Sequence, residues 1–217
     1  MSHPLAGALR EGLKQLGLAL SPAQQQQLLD YLDLLGKWNK VYNLTAVRDP
    51  AEMLTHHLLD SLAAVAPLQK HLQARGLAAA SLLDVGSGAG LPGVVLAICC
   101  PTLAVTCVDT VGKKAAFIKQ AALALGLGNL TGLHARVETI TQPFDVICSR
   151  AFASLVDFTS WSQAALAPGG AWMALKGKHP ADELAVLPPG VAVFHVEPLA
   201  VPGLDAERCI IWLQKAG

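Results

Sequence analysis

The sequence predicts an α/β fold, a mostly parallel sheet of seven strands preceded by a helical extension. Hydrophobic residues make up 53% of the chain and charged residues only 15%, which excludes disorder and suits strands buried on both faces. From Ser81 onward, short apolar runs alternate with helical segments, a pattern that implies right-handed crossovers and parallel pairing. Before Ser81 the pattern is helical. With 217 residues the chain can build one large domain or two small ones around a substantial core.

Ser21-Pro22-Ala23-Gln24 reads as a helix start: Ser caps, Pro takes the first helical position and Gln closes a capping box. Leu28, Leu32 and Leu35 follow at helical spacing. The run Gln24 to Gln27 reads as a solvated helix face. Asp49-Pro50-Ala51-Glu52 repeats the start signal, and Leu54, Leu58, Ser61 and Val65 share one face of the helix after it. Strands are expected at Leu82 to Val85, Ala104 to Val108, Asn129 to His134, Phe144 to Ser149 and Ala171 to Lys176. Helices fit Pro92 to Cys100 and about Lys113 to Leu125, the latter burying Phe117 and Ile118. Pro168-Gly169-Gly170 supplies a turn before its strand. Val191 to Val196 and Cys209 to Leu213 read as a closing antiparallel pair.

Lys plus Arg and Asp plus Glu both number 16, so the formal net charge is zero. A nucleic-acid binder usually carries excess positive charge. Any RNA contact here must therefore come from a local basic patch, with weak and salt-sensitive binding to naked RNA. Met1 to Arg10 lacks the basic start and apolar run of a signal peptide. Leu91 to Val108 is apolar enough to raise a membrane question, but Pro92, Gly93 and Pro101 break it. The five cysteines, Cys99, Cys100, Cys107, Cys148 and Cys209, lack Cys-x-x-Cys spacing and read as reduced core residues. A cytoplasmic location without membrane attachment is expected.

The most informative stretch is Asp84-Val85-Gly86-Ser87-Gly88-Ala89-Gly90-Leu91-Pro92-Gly93. A strand that feeds a glycine turn lets a ligand approach bare backbone. The dinucleotide pattern G-x-G-x-x-G fails, because Leu91 stands at its third glycine, and G-x-x-x-x-G-K-[ST] is absent. Such a loop suits an adenosine ligand that carries no phosphate. Asp109, nineteen residues after Gly90, ends the second strand, where a carboxylate can accept both ribose hydroxyl protons. An NAD-dependent oxidoreductase would need a glycine at position 91. His56 and His57 point about 100° apart on a helix and form no metal face. No G-x-S-x-G elbow exists, since Ser87 is flanked directly by glycines. Lys113, Lys114 and Lys119 near a helix start read as solvated, or as part of a basic rim.

Lys37-Trp38-Asn39-Lys40, Tyr42-Asn43-Leu44-Thr45, His57-Leu58-Leu59-Asp60-Ser61, the glycine loop and Ser149-Arg150-Ala151-Phe152-Ala153 occur in that order. Together they resemble the ribosomal small-subunit methyltransferase G family, also called glucose-inhibited division protein B, over nearly the whole chain. The resemblance implies a Rossmann-like class I methyltransferase that uses S-adenosyl-L-methionine, releases S-adenosyl-L-homocysteine, and methylates N7 of guanine 527 in the 530 loop of 16S rRNA. It implies a helical region at 1–78 packed on a methyltransferase domain at 79–217. The small ribosomal subunit or a precursor is the implied partner, and a monomer is expected. By position, Gly86, Gly88, Leu91, Asp109, Val137, Glu138 and Arg150 would form the cofactor site. Asn43, His57, Arg136, Lys176 and Arg208 would belong to the RNA or catalytic face. His56 stands where some relatives have arginine. Other readings are a methyltransferase for another RNA or a small molecule, and a ribosome assembly factor without activity.

Guanine N7 carries an in-plane lone pair and no proton at neutral pH, so its methylation needs no general base. The sulfonium charge ends on the purine ring. The catalytic task is then alignment, for which positioning contributes up to ~7–11 kcal/mol. Arg150 and Lys176 are the expected positioning residues. Arg150 could stack on a base, hold a phosphate or pair with a nearby acid; Lys176 lies at a strand end facing the ligand edge.

Overall fold

The structure, a computed structural model, describes residues 3–150 and 154–217. The N-terminal part is α1 (Ala6–Gln15), α2 (Pro22–Tyr42), α3 (Pro50–Met53), α4 (Asp60–Leu62) and α5 (Val65–Ala74). Then come β1 (Ala80–Val85), α6 (Gly93–Cys99), β2 (Leu103–Asp109), α7 (Gly112–Ala124) and β3 (Leu130–His134). The chain ends with β4 (Phe144–Arg150), α8 (Leu155–Ser162), β5 (Leu166–Lys176), α9 (Ala181–Ala185), β6 (Val191–Leu199) and β7 (Arg208–Lys215). One seven-stranded sheet has the order β3-β2-β1-β4-β5-β7-β6. Strands β1 to β5 are parallel, and β7 lies antiparallel between β5 and β6.

The sheet is covered on both faces, as its continuous apolar strands require. Leu82, Val105, Cys107, Val146 and Cys148 pack on one side with α6, α7 and the N-terminal helices. Their neighbours Leu83, Val108, Ile147 and Trp172 pack on the other side with Phe158 of α8. This is the strand period of two, read twice. All five cysteines are free thiols in buried positions. Among the described residues, no helix is long and apolar enough to cross a membrane.

Helix α2 starts as its sequence dictates: Ser21 Oγ accepts from the Gln24 N–H while the Gln24 side chain returns to Ser21, with Pro22 at the first turn. The glutamines after that cap are not simply solvated. Gln24 Nε2 donates to the Ile98 carbonyl at 2.8 Å, and Gln27 Nε2 donates to the Leu125 carbonyl at 2.8 Å. These amides satisfy orphan carbonyls at the C-terminal ends of α6 and α7, and so fasten α2 to both. One turn further on, the fully buried Tyr31 donates its hydroxyl to the Ala89 carbonyl of the glycine loop at 2.7 Å.

Two other expectations change in detail. The helix expected after Asp49 is not one α-helix: Leu54–Leu59 form a π-helical stretch between α3 and α4, and the chain breaks again before α5. Leu54, Leu58, Ser61 and Val65 are buried all the same. Pro168-Gly169-Gly170 is no turn but lies within β5, opposite the register shift of β4 between Phe144 and Val146. Gly169 at φ +70° supplies the left-handed residue this irregularity needs, so the strand bends without ending.

Replacing Tyr31 by Phe leaves the Ala89 carbonyl without its buried donor and is expected to cost about 1–3 kcal/mol in urea unfolding. Tyr42→Phe, at an exposed hydroxyl with no hydrogen bond among the described residues, should cost nothing measurable.

Candidate active site at the strand ends

The order of strands reverses between β1 and β4, and parallel sheets open a crevice at such a point. Two cavities lie at the C-terminal strand ends. The first, of about 330 Å³, is lined by residues at the ends of β1, β2 and β3 and by α8. The second, of about 390 Å³, lies at the ends of β4 and β5 and against β7 and the π-helical stretch. Both fall in the ~300–1,000 Å³ range of small-molecule sites.

Gly86, at φ +65°, lines the first cavity. Gly88, at φ +58°, has open space where a Cβ would project, so a ligand can approach its backbone. Asp109 is fixed beside the loop: Oδ2 accepts the Gly88 N–H at 3.0 Å and Oδ1 accepts the Val111 N–H at 2.8 Å. Each carboxylate oxygen keeps a further lone pair for a diol. Val85, Val108, Val111 and Val137 give apolar walls, and Trp161 closes one side. The two cations of this cavity each face an acid. Lys114 Nζ stands 3.8 Å from Asp109, and the Arg136 guanidinium is 3.2 Å from Glu138. Glu138 is held below the usual carboxylate range, first by its own backbone N–H and then by Arg136. Acceptors for a sugar, apolar walls for a flat base and already paired cations fit a nucleoside that carries no phosphate.

The loop is also built from beneath. Asp84, fully buried at the end of β1, accepts the Gly93 N–H on Oδ2 at 2.8 Å. A Cβ on Gly93 would collide with Cys107 Sγ and stand 2.8 Å from Asp84 Oδ2. Burial pushes the Asp84 carboxyl up to about 7, opposed by the Gly93 N–H and by the charge of Arg150.

The second cavity is organised by Asp60. Its Oδ2 accepts from Arg150 Nη1 at 2.8 Å, and its Oδ1 accepts from Arg208 Nε at 2.8 Å. Arg150 Nη1 also donates to the His56 carbonyl at 3.0 Å. Lys176 Nζ donates to both oxygens of Glu183 at 2.9 Å, and Glu183 Oε2 also accepts the N–H of Leu155 at 2.7 Å. His57 is buried with Nε2 2.8 Å from Thr45 Oγ1, while its Nδ1 has no hydrogen-bond partner among the described residues. Burial first, and the charge of Arg150 second, lower the His57 imidazole to about 4. It is therefore neutral at physiological pH.

The structure gathers Gly86, Asp109, Val137 and Glu138 around the first cavity, with Gly88 on the same loop. Leu91 is elsewhere: its side chain belongs to the core, although its N–H donates to Ser87 within the loop. Arg136 stands at the rim of the first cavity, away from His57, Lys176 and Arg208, which share the second. Arg150 lines the second cavity, not the first, but its charge reaches Asp84 beneath the glycine loop. Asn43 caps α2 in the left-handed region at φ 49° and accepts from Arg48 at 3.2 Å. Ala151, Phe152 and Ala153 of the quoted motif lie outside the described residues. The sequence marks Asp60 only as the neighbour of His57, in tuning helix packing or holding the N-terminal region onto the core, and does not mark Trp161. Asp60 sits inside a quoted motif, but no periodicity distinguishes Trp161.

A family model described as rRNA small subunit methyltransferase G matches residues 24–211. A ribosomal RNA small subunit methyltransferase G from a Polaromonas species is 75% identical over 207 residues, covering 95% of this chain and 92% of the relative. One from an Acidovorax species is 69% identical over 212 residues, covering 95% and 94%. Among solved structures, a SAM-dependent methyltransferase from Aquifex aeolicus is similar with TM-score 0.54 at 19% identity, covering 76% of this chain and 98% of that one. The N-methyltransferase NodS from Bradyrhizobium japonicum, in complex with S-adenosyl-L-homocysteine, gives TM-score 0.55 at 14% identity, covering 84% and 100%. At such identities the likeness is one of fold.

The His57 environment has a pH signature. The folded imidazole charges near 4 and the unfolded one near 6.5, so the unfolded chain binds the extra proton across that window. His57 then subtracts up to about 3 kcal/mol of stability as pH falls from 6.5 toward 4, and nothing above it. Unfolding free energies of wild type and His57→Gln measured from pH 4 to 8 should converge in slope above 6.5 and diverge below. Parallel curves throughout would contradict the buried neutral imidazole.

Proposed function

The chain belongs to the rRNA small subunit methyltransferase G family, and we propose that it transfers a methyl group from S-adenosyl-L-methionine to N7 of guanine 527 in the 530 loop of 16S rRNA. S-adenosyl-L-homocysteine is the second product. One observation carries this reading: two cavities lie on either side of the reversal of strand order, one suited to a nucleoside without phosphate and the other lined by cations held on carboxylates. The region 1–78 is a helical platform on the catalytic domain 79–217. The protein acts in the cytoplasm as a monomer, on the small subunit or a precursor of it.

The cofactor supplies an activated methyl group on a sulfonium centre. Asp109 would hold the ribose diol, the Gly86–Gly88 backbone would admit the adenosine, and the apolar walls and Trp161 would take the adenine. Val137 and Glu138 border the adenine edge. Arg150 and Arg208 orient the target nucleotide from the other cavity, each fixed by Asp60, and Lys176 joins them from the end of β5.

The surroundings suit a reaction whose nucleophile needs no deprotonation. The carboxylates flanking the second cavity are engaged: Asp60 by two guanidiniums, Glu183 by Lys176 and the Leu155 N–H. His57 stays neutral, so it adds no further positive charge beside a ring that becomes cationic. Asp60 cancels one of the two nearby guanidinium charges for the same benefit. The residues of the two cavities would contribute by aligning the reactants and excluding water.

Incubating the protein with labelled S-adenosyl-L-methionine and small subunits from a strain lacking the enzyme should place the label on N7 of guanine 527. Label on another base, or on protein alone, would overturn the assignment. Gly86→Val should abolish cofactor binding in calorimetry, because a β-branched side chain is strained at φ +65° in a residue that lines the cavity. Retained affinity would remove the loop from the site.

A further inference from the structure

We propose that the groove between the N-terminal end of α1, the C-terminal half of α2 and α3 is a second RNA contact, taking phosphates that flank the target base on Lys37, Lys40 and Arg48. The choice of RNA rests on the methyl-transfer reading above. The groove encloses about 700 Å³, more than either cavity at the strand ends. Lys37 and Lys40 lie one helical turn apart and are exposed, as is Arg48 on the loop after α2. None of the three has a carboxylate partner among the described residues.

Charge on this chain is balanced overall, so its local distribution decides what can bind. From residue 34 to residue 48 the sequence carries these three cations and no Asp or Glu. The one acid lining the groove, Asp33, faces His3 at 3.2 Å. Asp49, next in sequence to Arg48, spends Oδ1 on the N–H groups of Ala51 and Glu52 at the start of α3. Leu32 and Met53 supply an apolar floor against which a sugar or base can lie.

Position links the groove to the second cavity. The loop that follows α2 lines the groove and touches His57 of the second cavity. Thr45 on that loop meets His57 at 2.8 Å, while Arg48 reaches back to Asn43 at 3.2 Å and lines the groove. Asn39 fixes the loop from inside, accepting the Thr45 N–H at 2.9 Å and donating to the Val47 carbonyl at 3.2 Å. A strand whose base enters beside His57 and Arg150 is thereby led across a hydrogen-bonded loop toward three cations that no carboxylate neutralises among the described residues. This is the local patch that a chain without net charge needs in order to hold RNA.

The test compares full-length wild type with Lys37→Gln/Lys40→Gln and Lys37→Arg/Lys40→Arg double variants and with Arg48→Gln. Binding to a 16S rRNA fragment containing the 530 loop is measured by filter retention across salt concentrations, alongside KM for small subunits. The neutral double variant should bind on the order of tenfold more weakly at low salt, and its slope of log K against log salt should shrink by about 2. The Arg double variant should match wild type, and calorimetric affinity for S-adenosyl-L-methionine should be the same in all. An unchanged salt slope in the neutral double variant overturns the groove, whichever base proves to be methylated. So does equal loss in the Arg variant, which would mean that shape and not charge is read. Methylation at a different base with a reduced slope overturns only the parent reading.

Discussion

A single buried carboxylate, Asp60, holds two guanidinium groups from distant parts of the chain. Arg150 ends β4 and Arg208 begins β7, while Asp60 follows the π-helical stretch of the N-terminal region. Removing charges from water is expensive, and a buried pair persists only when its geometry is good and its remaining polar atoms are satisfied. Here each oxygen of Asp60 takes its own guanidinium at 2.8 Å, and Arg150 also uses the His56 carbonyl. The helical region, the central sheet and the antiparallel strands are thus registered at one point. The charges that line the second cavity are held where they stand, and their sum is lowered by the carboxylate they share.

The rest of the fold serves the same edge. Tyr31 and Gln24 anchor α2 to the glycine loop and to the end of α6, while Gln27 reaches the end of α7. The loop is therefore supported from the N-terminal helices above and from Asp84 below. Asp109 is fixed by the backbone N–H groups of Gly88 and Val111. A site built on strand ends and capped by packed helices loses little entropy when it binds, which is what the proposed alignment-driven chemistry demands.

Much of this was legible in the sequence, for reasons that can be named. The glycine loop and Asp109 belong to neighbouring strands of one local unit, so their spacing carried their geometry. The capping box at Ser21 is local too, and it formed as read. Asp60 was not legible as an organiser because its partners lie 90 and 148 residues away. The glutamines of α2 looked solvated because nothing local announces a carbonyl on another helix. Pro168-Gly169-Gly170 looked like a turn, since bulges and turns draw on the same residues; only the pairing with β4 tells them apart. Leu91 directly follows the glycine run Gly86–Gly90, but its side chain turns into the core.

The most direct test of this account is Asp60→Asn. The amide keeps the size of the carboxylate and removes the charge that both arginines share. With folding verified by near-ultraviolet circular dichroism, steady-state methylation of small subunits and calorimetric binding of S-adenosyl-L-methionine are measured on the same preparation. Methylation should fall on the order of 100-fold through misplacement of Arg150 and Arg208, with cofactor affinity unchanged. A folded variant that methylates at the wild-type rate would contradict the central role given to this carboxylate.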